Sequence, residues 1–300
     1  MKPIPVVLFA YARPEHLRRT LRSLRANHIP LLLAYSDGAK GPGDAAAVDE
    51  VRRVLAEVDW CDCQVVTRPR NLGLGRNVLS GVSEVAARFH AFIAWEDDLV
   101  AVPGTYSWLC EALRHFENDP RVMSVTAWTH PLVIPGDAAG RPYFDGRAEC
   151  WVWGSWSRSW TGMSDQTALE KLRACEARGI PAGRYGADLP AMARAESRRN
   201  LWAVRWLYHH LLHGGLCLRP PRSLVEHIGF DAGATNAAQA RQWENPPLAA
   251  APTGVTEWPA PIENPLCRAL WVAANPPESL WSRVRRRIVG GLLNVTGSRP

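Results

Sequence analysis

The 300-residue chain has no early segment joining a charged start to a long apolar stretch and a small-residue cleavage site, which disfavours a secretory signal. Its first apolar run, Ile4 to Ala12, is short and stops at Arg13 and Pro14. No run approaches the roughly 18 apolar residues needed to cross a bilayer, and the expectation is a cytoplasmic protein. Cys61, Cys63, Cys110, Cys150, Cys175, Cys217 and Cys267 form no CxxC pair and no repeated spacing. Reduced thiols are therefore expected, and Cys61-x-Cys63 would need two further ligands to hold zinc. Nucleotide signatures are missing too. There is no GxxxxGK[ST], and Asn71-Leu72-Gly73-Leu74-Gly75-Arg76-Asn77 is followed by Val78 where GxGxxG requires its third glycine. A dinucleotide-binding dehydrogenase or methyltransferase is disfavoured, and a nucleotide site would have to work through carboxylates and a metal.

What is present is ordinary globular material, 47% apolar, enough for a sizeable core. The net charge of +6 is concentrated: Arg283, Arg285, Arg286, Arg287 and Arg299 lie in the last 18 residues with no acidic residue among them, leaving the rest near +1. That argues for a basic tail and against a nucleic-acid-binding face. Arg283 to Arg287 stand beside Trp281, Val284, Ile288 and Val289, a composition suited to weak peripheral contact with the inner face of a membrane.

The first 127 residues alternate apolar runs with stretches of helical period. Residues 4–10, 31–35, 63–67, 91–95 and about 122–127 read as strands, separated by helices marked by Leu17/Leu21/Leu24, Val48/Val51/Leu55, Val78/Val82/Val85 and Leu109/Leu113. Regular alternation predicts an α/β fold, a mainly parallel sheet with helices on both faces. Ligands of such sheets sit outside the carboxyl ends of the strands, which singles out residues 11–13, 36–38, 68–76 and 96–98. The second half is less regular. Residues 198–212 suggest a helix, and residues 240–277, rich in Pro, Ala and Asn, read as irregular packing or a loose linker.

Glu96-Asp97-Asp98 directly follows Ala91-Phe92-Ile93-Ala94-Trp95. Three carboxylates at the mouth of an apolar strand repel one another and resist desolvation unless a cation answers them, and Mg²⁺ or Mn²⁺ commonly sits on one or two carboxylates plus substrate phosphates. The other reading is a helix start, since Asp caps helices well. Arg13 precedes a helix N-terminus that could face an anion, or it covers the sheet edge. Asp37 in Ser36-Asp37-Gly38 could accept hydrogen bonds from a ribose or base, or simply form the turn. Trp153 and Trp156 around Gly154 could stack on a sugar ring, or fill the core. His209, His210 and His213 have a spacing open to metal binding or to an interior helical face.

Taken together, Ala10-Tyr11-Ala12-Arg13-Pro14 before a helix, SDG after the second strand, NLGLGRN before a helix, and EDDLVAVPGTYSWL followed by NDPRVMSVTAW resemble glycosyltransferases of the GT-A fold. The likeness is to the N-acetylglucosaminyltransferase I type and its bacterial relatives. It continues through WVWGSWSRSW and GLCLRPPRSLVEHIGFDAGATN, spanning about residues 4 to 236. The resemblance implies transfer of a sugar from a nucleoside diphosphate sugar, UDP first among them, to a hydroxyl of a glycan or small-molecule acceptor, with inversion. It implies Mn²⁺ or Mg²⁺ on Asp98, with Glu96 and Asp97 orienting it and touching ribose or sugar. Asp37 would face the base, Tyr11 and Arg13 would line the nucleotide, Arg76 would reach phosphates or acceptor, and Trp153, Gly154 and Trp156 would contact acceptor or sugar. Residues 1–127 would bind the donor, 128–240 the acceptor, and 241–300 would form an irregular extension. The type's catalytic base, at the start of a DDW sequence, falls here on Asn200-Leu201-Trp202, and asparagine cannot accept the proton. Glu196 and Asp188 are the substitutes, and Asn236 stands where a histidine is expected. A non-catalytic sugar- or nucleotide-binding protein is the alternative.

Overall fold

The computed structural model describes residues 3–138, 140–199, 201–230, 248–252, 254–255 and 257–277. Asn200, Asn236 and the tail Arg283 to Arg287 lie outside the described residues. The first half runs β1 (Val6–Ala10), α1 (Pro14–Ala26), β2 (Leu31–Ser36), α2 (Pro42–Ala56), β3 (Asp62–Thr67), α3 (Leu74–Ala86), β4 (Ala91–Glu96), β5 (Leu99–Ala101), α4 (Thr105–His115) and β6 (Val122–Thr126). The second runs β7 (Tyr143–Asp145), β8 (Trp153–Trp156), α5 (Ser157–Trp160), α6 (Ala168–Ala177), α7 (Leu189–Arg199), α8 (Trp202–His213), β9 (Leu216–Arg219), β10 (Val225–His227) and α9 (Pro265–Ala274).

The architecture is α/β with a central, mainly parallel sheet in the order β3-β2-β1-β4-β8-β6-β9-β7. β1, β2, β3 and β4 are mutually parallel, as their connecting helices require. β8 then runs antiparallel between β4 and β6. β1 is buried along its whole length because both faces are covered. On one face Val6, Leu8 and Ala10 pack with Leu17, Leu21 and Leu24 of α1 and Leu109 and Leu113 of α4. On the other, Val7 and Phe9 pack with Val78, Val82 and Val85 of α3 and with Trp202 and Trp206 of α8.

Local chemistry explains the elements that build the site. Pro14, with its fixed φ and no N–H to leave unpaired, opens α1, and its leucines at i, i+4 and i+7 form the buried stripe. Two polar residues on that helix are buried for a purpose: Thr20 Oγ1 donates to the Asp97 carbonyl at 2.8 Å and Ser23 Oγ to that of Ala101 at 2.9 Å. They rivet α1 to the chain on either side of the β4–β5 turn.

The expectation of irregular chain over residues 240–277 is corrected by α9. Pro265 sits in its first turn, the Asn264 side chain accepts from Leu266 N at 3.0 Å, and Cys267 and Trp271 are wholly buried one turn apart. A two-residue stripe is too short to register as periodicity. Among the described residues no helix is long and apolar enough to cross a membrane.

Candidate functional site

Three segments converge on the carboxyl end of β4. Asp97 N donates to the Phe9 carbonyl at 3.0 Å, so the acidic turn hangs from the end of β1. Asp97 Oδ2 accepts from Tyr11 N at 2.8 Å, tying the β1–α1 turn to it in return. In that turn Ala12 has φ 47°, a left-handed conformation that costs a non-glycine residue about 1 kcal/mol or more and is retained where geometry demands it. Its effect is to present Arg13, whose Nη1 donates to Asp98 Oδ2 at 3.1 Å and whose Nη2 donates to the Gly229 carbonyl at 3.1 Å.

The third segment follows from β10. β10 pairs antiparallel with β5, His227 opposite Leu99, and Ile228 N donates to the Asp98 carbonyl at 2.8 Å. His227 Nε2 lies 3.5 Å from Asp98 Oδ2. Gly229 leaves room for this approach: a Cβ there would stand 2.2 Å from Asp98 Oδ2 and 2.7 Å from Arg13 Nη1, so those side chains would have to shift.

Burial, then the neighbouring carboxylates, pushes Glu96 well above the usual carboxylate range, and burial followed by Asp98 does the same to Asp97. The turn therefore holds more negative charge than its surroundings stabilise. Asp98 Oδ1 is buried with no hydrogen-bond partner. An orphaned carboxylate oxygen suits a hard divalent cation, which prefers oxygen ligands, and Asp98 is the residue able to hold one, with His227 beside it. Among the described residues no group of three or more His, Cys, Asp or Glu side chains is placed to hold a metal ion, so such an ion would draw most of its ligands from water or a bound phosphate.

The other expected residues are distributed around this centre. The Tyr11 hydroxyl donates to Asp44, and burial together with that carboxylate raises Tyr11 to about 12. Asp37 is buried with both oxygens occupied: Oδ1 accepts from Gly38 N at 2.9 Å and Leu72 N at 2.8 Å, Oδ2 from Gly73 N at 2.9 Å and Asn71 Nδ2 at 3.2 Å. It organises the loop before α3, as a turn residue does. Arg76 is exposed in the first turn of α3.

Trp153, Gly154 and Trp156, expected at the acceptor, are corrected to core positions. Trp153 is 1% and Trp156 0% exposed, and a Cβ at Gly154 would come within 2.8 Å of Leu113 Cδ1. His209 and His210 are buried in α8, where His209 Nδ1 faces Lys171 Nζ at 3.2 Å, the interior reading of the histidine cluster. Glu196 joins helices: its Oε2 accepts from Ala168 N at 2.7 Å, its Oε1 from Arg205 Nε at 2.5 Å. Asp188 is paired with Arg147 at 3.2 Å, and Arg147 in turn stacks on Trp271, 4.1 Å from the ring centre.

Sequence reasoning missed His227 and Gly229, and did not distinguish Trp151 from the other tryptophans of WVWGSWSRSW. The first two lie in VEHIGF, inside the closing segment of the resemblance, but nothing local says that this stretch pairs with β5. Trp151 is hidden by Val152, whose φ is 48°. Strand alternation would put Trp151 on the face of Trp153; the left-handed residue between them turns it to the opposite face, against Trp128 and His227, each with ring centres 4.8 Å away.

No protein-family model and no curated protein sequence matches the chain. Among solved structures, S. aureus TarS 1–349 overlays with a TM-score of 0.44 at 9% identity, over 76% of this chain and 61% of that one. Mannosyltransferase PcManGT from Pyrobaculum calidifontis, in complex with GDP-Man and Mn²⁺, overlays with a TM-score of 0.46 at 14% identity, over 96% of this chain and 79% of that one. Overlays this loose carry no argument about chemistry, which rests on the site itself.

Proposed function

We propose that the chain is a GT-A-type glycosyltransferase that moves a sugar from a nucleoside diphosphate sugar to an acceptor hydroxyl, with a divalent cation and inversion. The observation that carries this reading is Asp98: a carboxylate at the end of a buried strand, one oxygen orphaned, the other shared by Arg13 and His227. An acidic turn built this tightly, at a strand end where α/β sheets bind ligands, would let Asp98 hold a divalent cation beside a bound diphosphate. Held there, Mn²⁺ or Mg²⁺ would supply Lewis-acid neutralisation of charge on the leaving diphosphate.

The protein groups have separable tasks. Arg13 presents a fixed cation where a diphosphate would lie, and Asp97 holds the β1–α1 turn that aims it. Tyr11 and Arg76 flank the same strand ends and are the candidate nucleotide and phosphate contacts; Glu96 and Asp97 are those for ribose or sugar. For the acceptor side, Trp151, against the His227 ring, replaces the buried Trp153 and Trp156 as the candidate aromatic contact. In an inverting transfer the acceptor oxygen attacks the anomeric carbon as the nucleoside diphosphate leaves, and a carboxylate takes the hydroxyl proton. Glu196 and Asp188 are the proposed bases; each would first have to be released by its arginine.

That pairing of both candidate bases favours a second reading, a binding protein of the same fold without transfer. Product formation separates the two. Incubated with a panel of UDP- and GDP-sugars and Mn²⁺, the chain should release nucleoside diphosphate, and Asp98→Ala should abolish release. Metal-dependent binding with neither hydrolysis nor transfer across the panel would leave the binding protein.

A further inference from the structure

α9 carries its apolar residues on both faces. Cys267 and Trp271 point inward and are fully buried, as an amphipathic helix requires, but of the exposed positions Pro265, Leu266, Arg268, Ala269, Val272 and Ala273 only Arg268 is polar. Leu266 is 44% and Val272 42% exposed, and Ile262, just before the helix, is 70% exposed. A second apolar segment meets this one: Leu132 is 64% and Ile134 44% exposed, and their loop is joined to the start of α9 by Asn264 Nδ2 donating to Asp137 Oδ1 at 2.9 Å. Ala138 and Tyr143 pack on Cys267 beneath the junction. These two segments hold five of the seven exposed large hydrophobic side chains among the described residues. Single exposed apolar residues are normal; a concentration on two joined segments marks a surface that is covered in use.

Charge identifies the occupant. Arg141, Arg222 and Arg268 are exposed around these segments, and Arg184 joins Arg268 on the rim of an open groove of about 720 Å³ along α9. Two carboxylates lie among them, Asp137 at the junction and Glu263, the latter engaged by Arg268 at 2.8 Å and by Tyr185 at 2.6 Å, so the four arginines remain in excess. The sequence after α9 adds five arginines and no acidic residue over its last 18 positions. Apolar side chains ringed by arginines, whose stems cover apolar surface while their heads reach phosphate, suit the headgroup layer of an anionic bilayer.

We infer that the outward face of α9, with Ile262 and the Leu132–Ile134 loop, docks the protein on an anionic membrane surface. Neither the acidic turn nor the β1–α1 turn takes part, so the inference stands independently of the proposed transfer reaction.

The test is vesicle flotation of the full chain with phosphatidylcholine vesicles and with phosphatidylcholine–phosphatidylglycerol vesicles, at low and high salt. The expected result is flotation with the anionic vesicles only, weakened by salt, and at least tenfold lower for Leu132→Glu/Leu266→Glu/Val272→Glu with unchanged thermal unfolding and unchanged response to UDP-sugar and Mn²⁺. Should that triple variant unfold, Leu266→Gln/Val272→Gln is read in the same way. Undiminished flotation of the folded variant would assign binding to the tail alone and overturn the inference. So would flotation with neither vesicle, or a wild-type dimer by light scattering that the variant disperses, which would make the face an interface between copies.

Discussion

The Arg13 guanidinium and the Asp98 carboxylate meet at 3.1 Å across the mouth of the sheet, one delivered by the strained turn after β1, the other by the turn after β4. In the free chain Arg13 is thus the cation that answers Asp98, and a bound metal ion would compete with it for that carboxylate. Arg13→Ala should lower the melting temperature of the metal-free protein and enlarge the rise produced by Mn²⁺, while weakening nucleoside diphosphate binding. Thermal unfolding with and without Mn²⁺ reads this; an unchanged Mn²⁺ response would mean that arginine and metal do not share Asp98.

Gly229 tests the same centre by shape instead of charge. With a Cβ placed 2.2 Å from Asp98 Oδ2 and 2.7 Å from both Arg13 Nη1 and the His227 ring, Gly229→Ala must displace these three side chains or the backbone. The expected cost is ~1–3 kcal/mol of stability, the usual range for overpacking. Loss of the Mn²⁺-dependent thermal shift should accompany it, although no charged group is removed. A variant that keeps the full shift would place the cation elsewhere.

The acidic turn, the strand ends and the α/β order were legible because each rests on local pattern: apolar runs, helical spacing and charge at a run's edge. Gly229 and His227 were not, because their role depends on β10 pairing with β5 across more than 120 residues of chain. The misassigned tryptophans have a different cause. Trp151, Trp153 and Trp156 are indistinguishable by composition, and only the left-handed backbone at buried Val152 decides that Trp151 faces His227 while the other two enter the core.

Asp37 separates a loop-building role from a nucleotide contact. Its carboxylate accepts from three backbone N–H groups and the Asn71 amide. Asp37→Ala removes all four bonds in a buried place, and buried donors left unpaired cost ~1–3 kcal/mol each. Chemical denaturation of the ligand-free variant should therefore show a loss of several kcal/mol, far above that of a surface substitution. A variant of wild-type stability that loses only nucleotide affinity would return Asp37 to the base-binding role.

The histidines of α8 make stability depend on pH. Burial, with Lys171 next in importance, holds His209 down to about 4, and burial, with His209 next, holds His210 down to about 3, against 6.5 for the free side chain. Both are neutral in the fold across the range where the unfolded chain takes up protons. Because the unfolded state then binds more protons, stability rises with pH between those values. Their contribution is complete above about 6.5 and is lost as the pH falls from there toward the folded-state values. Urea midpoints measured from pH 7.5 to 4.5 should fall steadily below the unfolded histidine value. His210→Phe, which keeps an aromatic ring against Trp206, where the ring centres lie 4.5 Å apart, should flatten that slope in part by removing one proton, while His209, His130 and His227, also held below their free value, keep the rest. An equally steep profile in the variant would assign the acid sensitivity to groups outside α8.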